Sequence, residues 1–216
     1  FLLLLALIFR GVAFEFRSKV GNPKWRNGWD MAIAIGSFLA SFLLGVVFTN
    51  LVRGVPIDGN QVFTGNFFTL LNPLSLLGGF ALTAVFILHG ANFLTLKLMG
   101  KLYERVRKLN AKLWTVALIL AAAYLVFLIV GTGSFLSKGI PGMILPWLAA
   151  IALVLSKLFV ANRREGWAFT MTGLTVVFTV AALFVALFPN VMISTTAAAN
   201  NLTIYNASSS PYTLKV

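Results

Sequence analysis

The chain has 216 residues, of which 59% are hydrophobic and only 10% are charged, and its mean hydropathy is +0.93. Soluble domains carry about 25% charged residues, so this composition excludes an ordinary soluble domain and predicts a protein embedded in lipid. The absence of cysteine excludes disulfides, iron–sulfur clusters and thiolate ligation of haem. The net charge of +12 lies in short connections between apolar runs, which indicates membrane orientation and argues against nucleic-acid binding.

Six apolar segments follow one another along the chain. They comprise residues 1–14, 30–52, 74–99, 113–132, 141–161 and 168–188. A helix needs roughly 20 mainly apolar residues to cross a bilayer, so each segment except the first is long enough to do so. We therefore predict an all-α fold in which residues 1–216 form a single transmembrane domain, a polytopic helix bundle of six spans with the first truncated.

The two ends of the sequence predict a piece of a longer membrane protein. The chain does not begin with Met, and its first apolar run has neither the basic region nor the small-residue cleavage site of a signal peptide. We interpret this run as a helix entered partway, and we expect further helices beyond both ends.

The basic residues of the connections predict how the spans are oriented. Their number alternates, with four, one, six, one and three in the five connections and one in the tail. Because connections rich in Lys and Arg remain in the cytoplasm, we predict that loops 15–29, 97–112 and 157–167 are cytoplasmic and that the tail lies outside. Loop 97–112, in which Glu104 is the only acid, could also contact anionic lipid headgroups, although orientation alone explains its charge.

Arg10 lies inside the first apolar segment, where a cation costs a few kcal/mol. Two arrangements are open. Arg10 can extend toward the interface, because Phe14 and Glu15 lie about one turn away, or it can face the bundle and pair with an acid. The chain has only five acids, of which Glu15 and Asp30 close the two ends of the same charged hairpin and can both approach Arg10.

His89, the one histidine of the chain, lies within the third apolar segment. A buried imidazole can ligate haem or a metal ion, or it can form a hydrogen bond with a neighbouring carbonyl at a helix interface. No second His or carboxylate stands three or four residues away to complete a pair of ligands. We therefore favour the helix-interface interpretation and predict neither a haem ligand nor a metal site in this chain.

Five polar motifs occur in order along the chain and are unusual for membrane spans. They read FRGVAFEFRSK, WRNGWD, IGSF, TGNFFTLLNPLSLLGG and ANNLTIYNASSSPYTLKV. In this order they resemble subunit II of the cytochrome bd quinol oxidases, and the resemblance extends from residue 8 to the end. It implies a respiratory complex of the bacterial cell membrane that oxidises quinol and reduces dioxygen to water.

The resemblance also implies cofactors and partners. Subunit I of such an oxidase holds two b-type haems and one d-type haem, whereas subunit II supports these haem sites without donating an axial ligand. In some members subunit II also holds a structural quinone or lines proton or oxygen access. Quinol, membrane lipid and small single-span subunits complete the expected partners.

The resemblance bears on individual residues as well. Arg10, Glu15 and Asp30 stand where the family pattern has an arginine, an acid and an aspartate, which favours the interior position of Arg10. We accordingly predict a charge cluster of these three residues facing subunit I near its haems, and no catalytic residue in this chain. His89 is not a fixed element of that pattern, which further disfavours haem ligation.

A multi-pass transporter or permease is the alternative function, because composition and topology alone do not separate it from an oxidase subunit. Transporters with broken helices show paired spans interrupted by Gly or Pro in their two halves. No such pair is visible in this sequence, and the ordered motifs favour the oxidase.

Overall fold

The computed structural model describes residues 1–132, 138–210 and 213–214. Within these ranges the chain forms seven α-helices, followed by a small two-stranded sheet. The helices are α1 (Leu2–Arg17), α2 (Pro23–Arg53), α3 (Phe67–Leu70), α4 (Pro73–Lys97), α5 (Gly100–Thr132), α6 (Gly139–Ala161) and α7 (Glu165–Leu187), and the antiparallel strands are β1 (Asn190–Met192) and β2 (Leu202–Thr203).

Five of the described helices, α2, α4, α5, α6 and α7, are long and apolar enough to cross a membrane. This confirms the predicted all-α, polytopic class. The predicted number of six spans is not reproduced, because the first apolar segment forms the 16-residue helix α1. That helix is shorter than the roughly 20 residues that a full crossing requires.

The prediction of a loop over residues 97–112 is wrong for most of its length. Helix α5 begins at Gly100, so residues 100–112 form its first turns. Lys, Arg, Glu and Leu dominate this segment and are all good helix formers. The charged residues therefore lie outside the lipid, but the helix continues through them. For the same reason the predicted hairpin loop 15–29 is helical up to Arg17 and again from Pro23.

The long helices pack mainly as consecutive pairs: α1 with α2, α4 with α5, and α6 with α7. Helix α2 also packs on α4, and α4 packs on α7, so α4 lies at the centre of the bundle. Within the described chain, α1 makes its substantial contacts with α2 alone. Helix α1 therefore lies at the edge of the bundle, and most of its apolar side chains are exposed.

Helices α2 and α4 approach each other closely at glycines. A Cβ atom added to Gly45 would lie 2.6 Å from the carbonyl oxygen of Gly78, and one added to Gly78 would lie 2.0 Å from Oγ1 of Thr49. Small residues at a helix interface let two backbones meet in this way. Further along, Oγ of Ser41 lies 3.2 Å from Oγ1 of Thr83, which adds a hydrogen bond between the same two helices.

The end of the bundle opposite the α1–α2 connection is closed by two segments that hydrogen-bond to each other. The backbone N–H of Val55 donates to the carbonyl of Ile193 at 2.9 Å. The carbonyl of Ile57 accepts hydrogen bonds from Oγ of Ser194 and Nδ2 of Asn200, each at 3.0 Å. The connection after α2 and the chain after α7 therefore form one cap.

An apolar cavity of about 320 Å³ lies among α2 and the four helices α4 to α7. Aliphatic and small side chains form most of its lining, among them Ala81, Ala121 and Leu183. The lining also includes Tyr124, whose hydroxyl lies 3.0 Å from Oγ1 of Thr49. The cavity is thus mostly apolar. The hydroxyl of Tyr124 accepts a hydrogen bond from Thr49 of α2, and the hydroxyls of Thr175 and Thr179 in the lining donate to carbonyls of their own helix.

Candidate functional site

The charged hairpin, defined here as residues 15–30, is fixed by helix capping and an aromatic contact. Asn22 caps α2, its side-chain oxygen accepting a hydrogen bond from the backbone N–H two residues later, and Pro23 is the first helical residue. Both residue types are favoured at these positions. Nε1 of Trp25 donates to the carbonyl of Phe16 at 2.8 Å, which ties the start of α2 to the end of α1.

The structure describes two ion pairs on this hairpin. The guanidinium of Arg17 contacts both carboxylate oxygens of Asp30, Nε with Oδ1 and Nη2 with Oδ2, the latter at 3.1 Å. Nζ of Lys19 lies 2.9 Å from Oε1 of Glu15, and this hydrogen bond lowers the pKa of Glu15. All four side chains are roughly half exposed or more, so solvent and salt screen both pairs.

Arg10 lies deeper in α1, opposite Gly36 of α2. A Cβ atom added to Gly36 would lie 3.0 Å from both Cβ of Arg10 and the carbonyl oxygen of Ala6, so the glycine lets the two helices meet at this level. The guanidinium carbon of Arg10 is 5.5 Å from the centre of the Phe14 ring, a cation–π distance. Nε of Arg10 is buried and has no hydrogen-bond acceptor among the described residues.

The structure does not bring Arg10, Glu15 and Asp30 together within the chain. Asp30 is bound by Arg17 and Glu15 by Lys19, and no carboxylate in the described part of the chain forms an ion pair with Arg10. The pairing of Glu15 with Lys19 has a sequence signal, because an acid and a base four residues apart have the spacing of a helical ion pair, although α1 ends at Arg17 and Lys19 lies just beyond it. The pairing of Arg17 with Asp30 depends on the shape of the hairpin and has no such signal.

His89 lies at the interface between α4 and α7. Its Nδ1 atom is 2.8 Å from Oγ1 of Thr172, and its ring stacks on Phe169 with ring centres 4.4 Å apart. Nδ2 of Asn92 donates to the same Thr172 hydroxyl at 3.3 Å, and Nδ2 of Asn110 donates to Oδ1 of Asn92 at 2.6 Å. A chain of polar side chains therefore links α4, α5 and α7.

This geometry agrees with the interpretation of His89 as a helix-interface histidine, although its partner is a threonine hydroxyl. The sequence analysis did not predict a role for Asn92 and Asn110, which are both almost completely buried. An asparagine inside or beside an apolar span is the signal that would have found them. Among the described residues, no group of three or more His, Asp or Glu side chains is placed to hold a metal ion.

The structure defines a multi-pass membrane protein. It has helices long and apolar enough to cross a membrane, close helix contacts at glycines, and hydrogen-bonded polar groups inside the bundle. The chain belongs to the cytochrome bd terminal oxidase subunit II family, whose sequence pattern matches residues 1–216. The resemblance drawn from the five motifs is thereby confirmed. Membership of this family also contradicts the transporter alternative and indicates a bacterial membrane location.

Three curated relatives show the degree of similarity. The chain is 40% identical over 215 residues to cytochrome bd ubiquinol oxidase subunit 2 of Bacillus subtilis (strain 168), covering 100% of the chain and 64% of that relative. It is 34% identical over 248 residues to cytochrome bd-I ubiquinol oxidase subunit 2 of Escherichia coli (strain K12), covering 100% of the chain and 65% of that relative. It is 31% identical over 245 residues to the probable cytochrome oxidase subunit 2 of Haemophilus influenzae, covering 99% of the chain and 65% of that relative.

The chain thus spans 64–65% of the length of these curated relatives. The name "subunit 2" carried by the relatives implies a partner subunit in an oxidase complex. The family likewise implies haem within such a complex.

Proposed function

We propose that this chain is part of the haem-free partner subunit of a membrane cytochrome bd-type quinol oxidase, which couples the oxidation of quinol to the reduction of dioxygen to water. Subunit I holds the b-type and d-type haems and carries the redox chemistry. This chain packs against subunit I and supports those haem sites. Quinol, membrane lipid and small single-span subunits are the further partners. Family membership and the names of the relatives support this function.

The observation that carries the proposal is that Arg10 forms no ion pair among the described residues. A cation inside an apolar helix is costly unless it is paired, and Nε of Arg10 has no acceptor in the described chain. Within the described chain α1 packs substantially on α2 alone, so we infer that a neighbouring subunit packs on the outer side of α1. Nε itself is covered by this chain, but Arg10 is only partly buried, so a carboxylate of subunit I or a haem propionate held there would bond the other guanidinium nitrogens and neutralise the charge.

We assign Arg10, Glu15 and Asp30 to the surface that faces subunit I near its haems, together with Arg17 and Lys19, which pair with the two acids. These charges would hold the subunit interface and set the electrostatic potential at the haem propionates. Their screening falls when a second subunit displaces water from the hairpin. No residue of this chain is proposed as a catalytic group, an axial haem ligand or a metal ligand.

A structural quinone is a further expected cofactor of this family, and the apolar cavity is the space that suits part of it. Pockets for drug-sized ligands have volumes of about 300–1,000 Å³ and mostly apolar linings, and this cavity has about 320 Å³. The carbonyls of a quinone head need hydrogen-bond donors. The lining has few of them: the Tyr124 hydroxyl is held as the acceptor of a bond from Thr49, and Thr175 and Thr179 donate to their own helix. The lining therefore fits an isoprenoid tail better than a quinone head.

The test replaces Arg10 in the full-length subunit and measures the haem content of the purified complex. Arg10→Ala leaves the partner's acceptor without its cation, and breaking a buried pair costs roughly 3–5 kcal/mol, so we expect a lower haem-to-protein ratio in the reduced-minus-oxidised spectrum. Arg26→Ala is the matched control, because Arg26 is exposed on the same hairpin. Wild-type haem content and oxidase turnover in Arg10→Ala would contradict the proposed role. A purified wild-type complex without haem or a larger partner would contradict the oxidase function.

A further inference from the structure

The first turns of α5, residues 100–112, extend beyond the lipid-crossing part of that helix and are called here the α5 extension. Helix α5 has 33 residues, which corresponds to a length of about 50 Å. The hydrocarbon core of a bilayer is about 30 Å thick, so roughly 20 Å of the helix lies outside it. The apolar run begins after Lys112, which places the α5 extension in the headgroup region and the adjoining water.

One face of this helix is held by contacts within the chain. The hydroxyl of Tyr103 donates to Oε1 of Glu165. Nη2 of Arg107 donates to the last carbonyls of α6, at 3.2 and 3.3 Å. Asn110 bonds to Asn92 at 2.6 Å, and Nε1 of Trp114 donates to a carbonyl of α6 at 2.8 Å. These spacings repeat with the helical period, so the α5 extension is anchored along one side.

The opposite face carries four cations, called here the basic stripe. The basic stripe consists of Lys101, Arg105, Lys108 and Lys112, all of them exposed. At 3.6 residues per turn these positions lie within about 60° of one another around the helix axis. None of the four forms an ion pair among the described residues. Within the described residues, the polar groups of the anchored face thus have partners, whereas the cations of the basic stripe form no ion pair.

The four cations of the basic stripe need an anion from outside the chain to offset their mutual repulsion. Neighbouring cations three or four residues apart on a helix destabilise it, and the basic stripe contains three such neighbouring pairs. Membrane orientation requires basic residues in a cytoplasmic connection, but it does not require them on one exposed face. Glu104 is the only acid in the segment, and in the part of the chain that the structure describes it forms no ion pair with the stripe.

The exposed side chains beside the basic stripe indicate which kind of anion neutralises it. Leu102, Leu109 and Val116 are more than half exposed and recur every seven residues, so they form an apolar line that leads directly into the lipid-facing part of α5. The headgroup layer extends about 5–7 Å from the hydrocarbon edge. With a rise of 1.5 Å per residue, Lys112 and Lys108 lie within that layer, and Arg105 lies within one Debye length of it.

We propose that the basic stripe binds the phosphate groups of anionic phospholipids, while the adjacent apolar line contacts their acyl chains. A juxtamembrane cation near an anionic membrane surface strengthens binding by about fivefold. The contact would hold the α5 extension against the membrane and, through the anchored face, fix the ends of α6 and α7. This binding is independent of the oxidase activity proposed above.

The test uses the intact complex purified in mild detergent and titrated with phosphatidylglycerol or phosphatidylcholine, with bound lipids counted by native mass spectrometry. Lys108→Gln with Lys112→Gln removes the two cations nearest the membrane and keeps good helix formers in an exposed helix. We expect the preference for phosphatidylglycerol to fall by about fivefold for each cation removed. Arg163→Gln with Arg164→Gln is the matched control: it removes the same charge from the exposed α6–α7 connection, where two adjacent cations outside a helix form no stripe, and should lower the preference less than the stripe variant does.

Three outcomes would overturn the proposal. One is an equal fall in both double variants, which would show only a general effect of net charge. Another is an unchanged preference in the stripe variant, and a third is loss of a protein subunit instead of lipid. If the stripe variant does not assemble, Lys108→Arg with Lys112→Arg should keep the preference, and raising the salt concentration should abolish the preference of the wild-type complex. A salt-insensitive preference would also overturn the proposal.

Discussion

Nδ1 of His89 on α4 lies 2.8 Å from Oγ1 of Thr172 on α7, and both helices are candidate membrane spans. The same hydroxyl accepts a hydrogen bond from Asn92, which in turn accepts one from Asn110 of α5. Polar side chains inside a membrane bundle hydrogen-bond from one helix to another and so hold the helices together. These side chains therefore join three helices. This structural role explains why a histidine lies inside the bundle, and it does not require His89 to bind haem.

The first prediction concerns His89→Leu. Because the imidazole bonds a threonine hydroxyl and stacks on Phe169, its loss should leave all haem signatures in the reduced-minus-oxidised spectrum of the assembled complex. If one haem signature disappeared while the complex stayed assembled, His89 would be a haem ligand and our interpretation would be wrong.

The second prediction concerns the stability that the network provides. Thr172→Val removes the hydroxyl shared by His89 and Asn92, and hydrogen bonds between membrane helices contribute about 0.6 kcal/mol on average and about 1.7 at most. We expect a loss of that order in the unfolding free energy of the detergent-solubilised protein. Thr170→Val is the control, because the Thr170 hydroxyl bonds only its own helix, at the Gly166 carbonyl. Equal losses in both variants would show that the network contributes no additional stability.

The third prediction tests the close approach of α2 and α4. An added Cβ at Gly78 would meet Thr49 at 2.0 Å, whereas one at Gly90 of the same helix meets nothing within 4 Å. Gly78→Ala should therefore destabilise the bundle by about 1–3 kcal/mol through overpacking. Gly90→Ala should be neutral or stabilising, because alanine is the better helix former. Thermal unfolding of both variants measures the difference, and similar midpoints would contradict the packing described here.

Some features of this molecule follow from the sequence, and others depend on how its helices pack. The membrane spans can be predicted from the sequence, because a run of about 20 apolar residues is typical of a membrane-crossing helix. Hydropathy does not predict that α5 begins at Gly100. It marks where the chain enters the lipid, and the helix extends beyond that boundary. The Arg17–Asp30 pair joins residues on two helices, and only the folded hairpin shows that Asp30 is bound by Arg17 and not by Arg10.

The fourth prediction separates the charge of Arg10 from its shape. Arg10→Lys keeps the cation but removes Nε, the atom that is buried without an acceptor in the described chain, and an ammonium does not offer the planar donor fork of a guanidinium. We expect a haem content between those of the wild type and Arg10→Ala. A lysine variant with full haem content would show that a positive charge suffices at this position.

The last prediction concerns orientation and uses the absence of cysteine from the chain. Arg105 lies on the α5 extension, and Asn60 lies in an exposed turn between α2 and α4, so the two positions should lie on opposite sides of the membrane. The alternating Lys and Arg counts predict that Arg105 is cytoplasmic. In intact cells, an impermeant thiol reagent should therefore label this subunit when it carries Asn60→Cys but not Arg105→Cys. Permeabilised cells provide the control, since both variants should then react. Labelling of Arg105→Cys in intact cells would reverse the orientation and place the basic stripe against the outer leaflet.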